Sequence, residues 1–247
     1  MKSKLKKHFI YILFIAISFW GCGYNKQLHS IDRDIALASS LNIDPQIIRL
    51  LKSYGINEFE PAHIWFHKGY LQDELVYLKP VFLEGFAFRV KSPAQNQIFY
   101  DLKDDLKEKG YSIFIVDDDY NSLPSNRNTF AVLNTTDKYQ IIKQMVVEDS
   151  IRYTNYKTNR DISVSVDHLN NIIKDFDDKY SLELYYASKG HLQFIVNGYV
   201  DDWEKLVRAL QEVLPYAVPT NDIGIVDISS IAEEMKYENK MTIWLYN

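Results

Sequence analysis

Apolar residues return at helical spacing in several stretches of this chain. Ile47, Leu50, Leu51 and Tyr54 form one stripe, with Asp44-Pro45 as its cap and first turn and Gly55 as its stop. Ile98, Phe99, Leu102 and Leu106 form a second, begun by Ser92-Pro93 and closed by Gly110. Tyr139, Ile142 and Val146 mark a third helix, and Leu169, Ile172, Ile173 and Phe176 a fourth that ends near Tyr180. The strongest stripe is Trp203, Leu206, Val207, Leu210 and Leu214, preceded by the capping-box pair Asp201 and Glu204. Ser230 and Glu233 predict a further short helix by the same pattern.

Between these helices lie compact or alternating apolar runs. Residues 81–90 predict a strand with Phe86, Phe88 and Val90 on one face. Residues 111–116, 130–133 and 241–246 predict three more, and 182–187 with 192–196 predict a hairpin around Lys189-Gly190. Helices and strands mix without regular βαβ spacing. The expected class is therefore α+β, with a mixed or largely antiparallel sheet, packed amphipathic helices and room for two similar-sized lobes, 41–150 and 151–247.

The first residues break this pattern. Lys2, Lys4, Lys6 and Lys7 precede an apolar run from Phe9 to Trp20, and Gly21 then meets Cys22, the single cysteine of the chain. Basic start, apolar core, small residue and cysteine is the order of a bacterial lipoprotein export signal. It predicts a signal peptide at 1–21, a lipidated Cys22 and a tether at 22–40. The run is too short for the roughly 20 apolar residues of a transmembrane helix, and an uncleaved signal anchor is the competing reading. Phe19-Trp20 is bulkier than the usual residues before the glycine. The expected location is the cell envelope, lipid-anchored and facing the periplasm or exterior, with the membrane as a partner through Cys22.

Charge and cysteine content narrow the function. Loss of residues 1–21 removes four lysines and no acid, taking the formal charge from −5 to −9. An acidic domain is a poor nucleic-acid ligand. With Cys22 acylated, thiol catalysis, Cys-ligated metals and disulfides are all excluded. No cofactor is expected: there is no Gly-x-Gly-x-x-Gly or Gly-x-x-x-x-Gly-Lys loop, and no Gly-x-Ser-x-Gly elbow.

The remaining candidates are few. Asp117 and Asp119, in the run Asp117-Asp118-Asp119 after a strand, could bind a hard cation, but the run lacks calcium-loop spacing and a solvated acidic turn is the favoured reading. His63 and His67 have zincin-like separation, but Ile64 stands where the general base would be. Asp177-Asp178 and Asp201-Asp202 fall at helix ends, where capping and surface charge account for them. The chain has 18 tyrosines, and Tyr153, Tyr156 and Tyr216 are the candidates for a contact surface, against the plainer reading of half-buried sheet packing.

The stretch from about Gly110 to Asn247 resembles domain-of-unknown-function family 4253. The resemblance is carried by Gly110-Tyr111-Ser112-Ile113-Phe114, by residues 130–139, by Tyr153-Thr154-Asn155-Tyr156 with Asp161, and by the order of elements from 166 to Ile243-Trp244-Leu245-Tyr246. The chain departs from the family at Leu214-Pro215-Tyr216-Ala217-Val218-Pro219, where members often carry Phe-Cys-Pro-Asp. The resemblance implies a fold and no established activity. The expected function is a non-enzymatic, membrane-tethered binding or interaction module, compatible with an envelope protein partner. The alternative is a carboxylate- or metal-dependent envelope hydrolase.

Overall fold

The computed structural model describes residues 31–64, 67–71, 74–77, 81–91, 94–116, 127–145, 150–155, 160–188, 191–215, 218 and 227–245. Its elements in chain order are α1 (Ile31–Ser40), α2 (Pro45–Ser53), β1 (Glu60–Ile64), β2 (His67–Leu71), β3 (Glu74–Tyr77), β4 (Val81–Lys91), α3 (Gln95–Glu108), β5 (Ser112–Val116) and β6 (Arg127–Leu133). There follow α4 (Lys138–Met145), β7 (Ser150–Asn155), β8 (Arg160–Ser165), α5 (Val166–Tyr180), β9 (Leu182–Ala187), β10 (His191–Val196), α6 (Trp203–Val213), α7 (Ile228–Glu238) and β11 (Lys240–Trp244).

Seven strands form one mixed sheet in the order β1-β4-β6-β5-β9-β10-β11, and β2–β3 and β7–β8 are separate two-stranded ribbons. Every neighbour in the large sheet is antiparallel except β5 and β9. Segment 41–150 supplies four of these strands and segment 151–247 three, so the parallel β5–β9 contact is the seam between them.

Period-two alternation along the strands sends side chains into two separate cores. Phe86, Phe88, Ile113, Ile115, Phe130 and Val132 face α1, α2 and α3. Ala87, Phe114, Ala131, Leu184, Leu192 and Phe194 face α4, α5, α6 and α7. The stripe expected on α3 is realised: Phe99, Leu102 and Leu106 are fully buried, each contributing about 2 kcal/mol by area. Phe88 stacks on Phe130 at 5.5 Å, a pair set by their cross-strand register. Among the described residues no helix is long and apolar enough to cross a membrane.

Two caps differ from the sequence expectation. The N-cap of α6 is Asp202, whose side chain accepts from Lys205 N, rather than Asp201. The N-cap of α7 is Asp227, which accepts from the amide of Ser230, so the cap lies three residues before the expected one.

Candidate functional site

The seam between β5 and β9 is where the sheet opens. These strands pair only at Ile115–Tyr186 and Val116–Ala187, near their C-terminal ends. Toward their N-terminal ends they diverge, and Ser112–Phe114 and Leu182–Leu184 become walls of a cavity of about 320 Å³. Helix α3 contributes Lys103 and Lys107, the start of α4 Thr136 and Lys138, and the end of α5 Asp177 and Ser181. Five elements therefore converge at one end of the parallel pair.

Charged side chains take the place of the missing strand contact. Asp177 accepts the backbone amide of Leu182 through Oδ1 at 2.7 Å. Its Oδ2 lies 2.7 Å from Lys138 Nζ and accepts the Tyr139 hydroxyl at 2.7 Å. Lys138 also donates to the Leu182 carbonyl oxygen. Carboxylate and ammonium thus satisfy both backbone groups of Leu182, a condition that buried main chain imposes. On the other wall Lys103 Nζ sits 3.0 Å from Glu183 Oε2, and Asn197 Nδ2 donates to that oxygen at 3.5 Å.

The environments shift the titrations. Burial pushes the Asp177 carboxyl up, but the bonds from Lys138, Tyr139 and the Leu182 amide outweigh it and hold the group below the ordinary carboxylate range. Burial, reinforced by the neighbouring Asp177, raises the Tyr139 phenol far above its usual value. Burial pulls the Lys103 ammonium down, yet the bonds and charges of Glu183 and Asp104 more than offset it and leave it raised.

Chemically, this is a concave polar site with three lysines and two carboxylates on its walls. Each of the two carboxylates bonds an ammonium, Asp177 that of Lys138 and Glu183 that of Lys103. Among the described residues no group of three or more His, Cys, Asp or Glu side chains could hold a metal ion.

The residues singled out in the sequence fall elsewhere. Cys22, Asp117, Asp119, Tyr156 and Tyr216 lie outside the described residues. Tyr153 is on β7, opposite Ile162 of β8. His63 is on β1 with its ring Nδ1 3.2 Å from the Pro61 carbonyl, and His67 is on β2, a strand of another sheet. Several described tyrosines follow the plainer reading. Tyr111, Tyr180 and Tyr185 are buried; Tyr111 accepts the Asp44 amide and Tyr185 donates to Asn96.

Asp177 is the residue whose role sequence reasoning missed. Read as one of two capping acids, it is instead the hub of the cavity wall, while Asp178 beside it is exposed. Helical phase held the signal: Asp177 lies one position from the buried Phe176 and four from Ile173, on the flank of the apolar stripe.

The chain matches no family model, and no curated protein or solved structure matches it significantly.

Proposed function

We propose that this chain is a lipid-anchored protein of the bacterial cell envelope that binds a ligand without transforming it. Its ligand site is the cleft between the diverging ends of β5 and β9. One observation carries the reading: the sheet opens at its central parallel pair and lines the opening with partly buried lysine–carboxylate pairs. Such pairs lose solvation and are weak stabilisers, so apolar side chains would close the seam at least as well. Their presence at a concave opening suits recognition of a polar molecule.

The competing hydrolase requires a carboxyl kept protonated near neutral pH. Asp177 is shifted the opposite way, which favours binding over acid catalysis in this cleft. A metal-dependent variant of that reading retains Asp117 and Asp119 as its candidates. The envelope location rests on the export signal ending at Cys22, and kinship with the uncharacterised family 4253 rests on the motifs from Gly110 onward.

Native mass spectrometry of the full-length chain purified from bacterial membranes tests both halves, using wild type, Cys22→Ser and Thr136→Trp. Thr136 is exposed at the cavity wall, so a tryptophan there blocks the opening. The expected wild-type mass is residues 22–247 plus acyl chains, with a co-purifying small molecule that Thr136→Trp lacks. A full-length unmodified chain overturns the anchor. Equal occupancy in wild type and Thr136→Trp, or none in either, overturns the cleft.

A further inference from the structure

We propose that the cleft recognises a phosphate-type dianion, and that Glu183 acts as the internal competitor for its place. The inference rests on the cleft being the ligand site and adds the chemistry of the ligand. Three ammonium groups, from Lys103, Lys107 and Lys138, line the cavity against two carboxylates, Asp177 and Glu183. Lys103 and Lys107 are one helical turn apart on α3, a spacing that brings their side chains within about 6 Å at the root. Asp104 also reaches Lys103, at 3.1 Å, but its side chain is 75% exposed, where water and salt screen it.

The three lysines are not equivalent. Lys138 is committed to the fold, because it bonds both Asp177 and the Leu182 carbonyl. Lys103 is held by Glu183, with both side chains 19% exposed. Lys107 is exposed and bonds no carboxylate among the described residues. An incoming anion therefore meets one ammonium that is uncommitted and a second that it must take from Glu183.

That competition selects the ligand's charge. Glu183 is covalently part of the wall, so its carboxylate acts at an effective concentration in at least the millimolar range. A free monocarboxylate offers Lys103 nothing that Glu183 lacks. A phosphate group carries about −1.5 to −2 charges at neutral pH with three acceptor oxygens, so it can engage Lys103 and Lys107 together. Lysine is well suited to phosphate as a compact point charge. The Thr136 and Ser181 hydroxyls and the Asn197 amide, all on the cavity wall, are neutral donors for the remaining oxygens. Free phosphate and a phosphate ester share this chemistry.

The test is the melting temperature of the full-length protein in detergent, at fixed ionic strength and pH 7, titrated with inorganic phosphate, glycerol phosphate or acetate. Wild type, Lys107→Ala and Glu183→Gln are compared. Phosphate is expected to raise the melting temperature and acetate to leave it unchanged. Lys107→Ala should weaken the apparent affinity about fivefold, and Glu183→Gln should strengthen it about fivefold, each the size of one partly exposed charge contact. A larger effect of glycerol phosphate assigns the site to an ester; a larger effect of inorganic phosphate assigns it to the free ion. No phosphate effect, an equal effect of acetate, or an unchanged affinity in Lys107→Ala overturns the proposal. Should Glu183→Gln fail to fold, Lys107→Ala decides alone. If phosphate has no effect while Thr136→Trp still loses a co-purified neutral molecule, the dianion falls and the cleft stands.

Discussion

Asp177 and Leu182 are bound to each other across the turn from α5 into β9: the carboxylate accepts the Leu182 amide at 2.7 Å, while the Asp177 carbonyl accepts the Ser181 amide at 2.8 Å. The same carboxylate binds Lys138 and Tyr139 of α4. One acid therefore fixes the C-terminus of one helix, the start of one strand and the N-terminus of a second helix. Asp177→Ala removes the acceptor of three donors at once. The expected loss is about 2–3 kcal/mol, below the figure for a fully buried pair because water reaches the cavity. Asp177→Asn keeps an oxygen for the Leu182 amide and should cost roughly half as much. Urea unfolding of the two variants checks the order; equal losses would mean that the retained oxygen contributes nothing, and no loss in Asp177→Asn that the charge contributes nothing.

The pH dependence follows from the same cluster. Asp177 is held in the fold below the ordinary carboxylate value of 3.8. Its contribution is present above the unfolded value, and it fades as pH falls below about 4 toward the depressed folded value. Tyr139 and Lys103 are raised above 10.0 and 10.5 respectively. Their contributions are complete below those values and are lost as pH climbs past them. Stability should therefore be flat through neutrality and fall on both sides. Asp177→Asn should flatten the acid limb, and Tyr139→Phe should soften the alkaline limb. A Tyr139→Phe profile identical to wild type above pH 10 would show that the phenol does not feel Asp177.

Local pattern carried much of this fold and little of its site. Helical spacing identified α3, α5 and α6 because their buried stripes, such as Leu206, Val207 and Leu210, are set by the fold's two flanking cores. Strand alternation identified β4, where Phe86 and Phe88 share a face. The capping acids were misplaced by a residue or a turn because neighbouring Asp and Ser side chains fit the same short pattern, and only backbone geometry chooses between Asp201 and Asp202. The site itself depends on contacts far apart in sequence. Asp177 meets Lys138 across 39 positions and Lys103 meets Glu183 across 80. No periodicity encodes such pairs, nor the two-residue parallel contact at Ile115–Tyr186 that opens the cleft.

Two glycines mark close backbone approaches. A Cβ on Gly198 would lie 2.7 Å from the carbonyl carbon and oxygen of Tyr180, at the point where the Gly198 amide donates to that oxygen at 2.7 Å. A Cβ on Gly85 would overlap the Val132 carbonyl oxygen on the neighbouring strand. Main chain cannot yield as a flexible side chain can. Gly198→Ala and Gly85→Ala should each cost about 1–3 kcal/mol through overpacking. Thermal unfolding checks this, with a loss near zero counting against the tight approach.

Ser181 and Asn239 are left-handed residues at helix ends, and they should respond oppositely to glycine. Ser181 follows α5 with φ 50 and Asn239 follows α7 with φ 55. A residue with a Cβ is disfavoured in this region, and glycine is the usual occupant. The Ser181 side chain makes no hydrogen bond among the described residues, so Ser181→Gly should relieve the backbone and stabilise by about 0.5–1 kcal/mol. Asn239 differs, because its Nδ2 donates to the Val196 carbonyl at 2.9 Å while its own carbonyl accepts the Val196 amide at 3.1 Å. That side chain ties the end of α7 to β10. Asn239→Gly gains the same backbone freedom but leaves a part-buried carbonyl without its partner, a loss of about 1–2 kcal/mol. The net effect should be neutral to destabilising. Chemical denaturation of both variants separates the two contributions: stabilisation by Asn239→Gly equal to that of Ser181→Gly would show that the asparagine side chain adds nothing to the strand edge it touches.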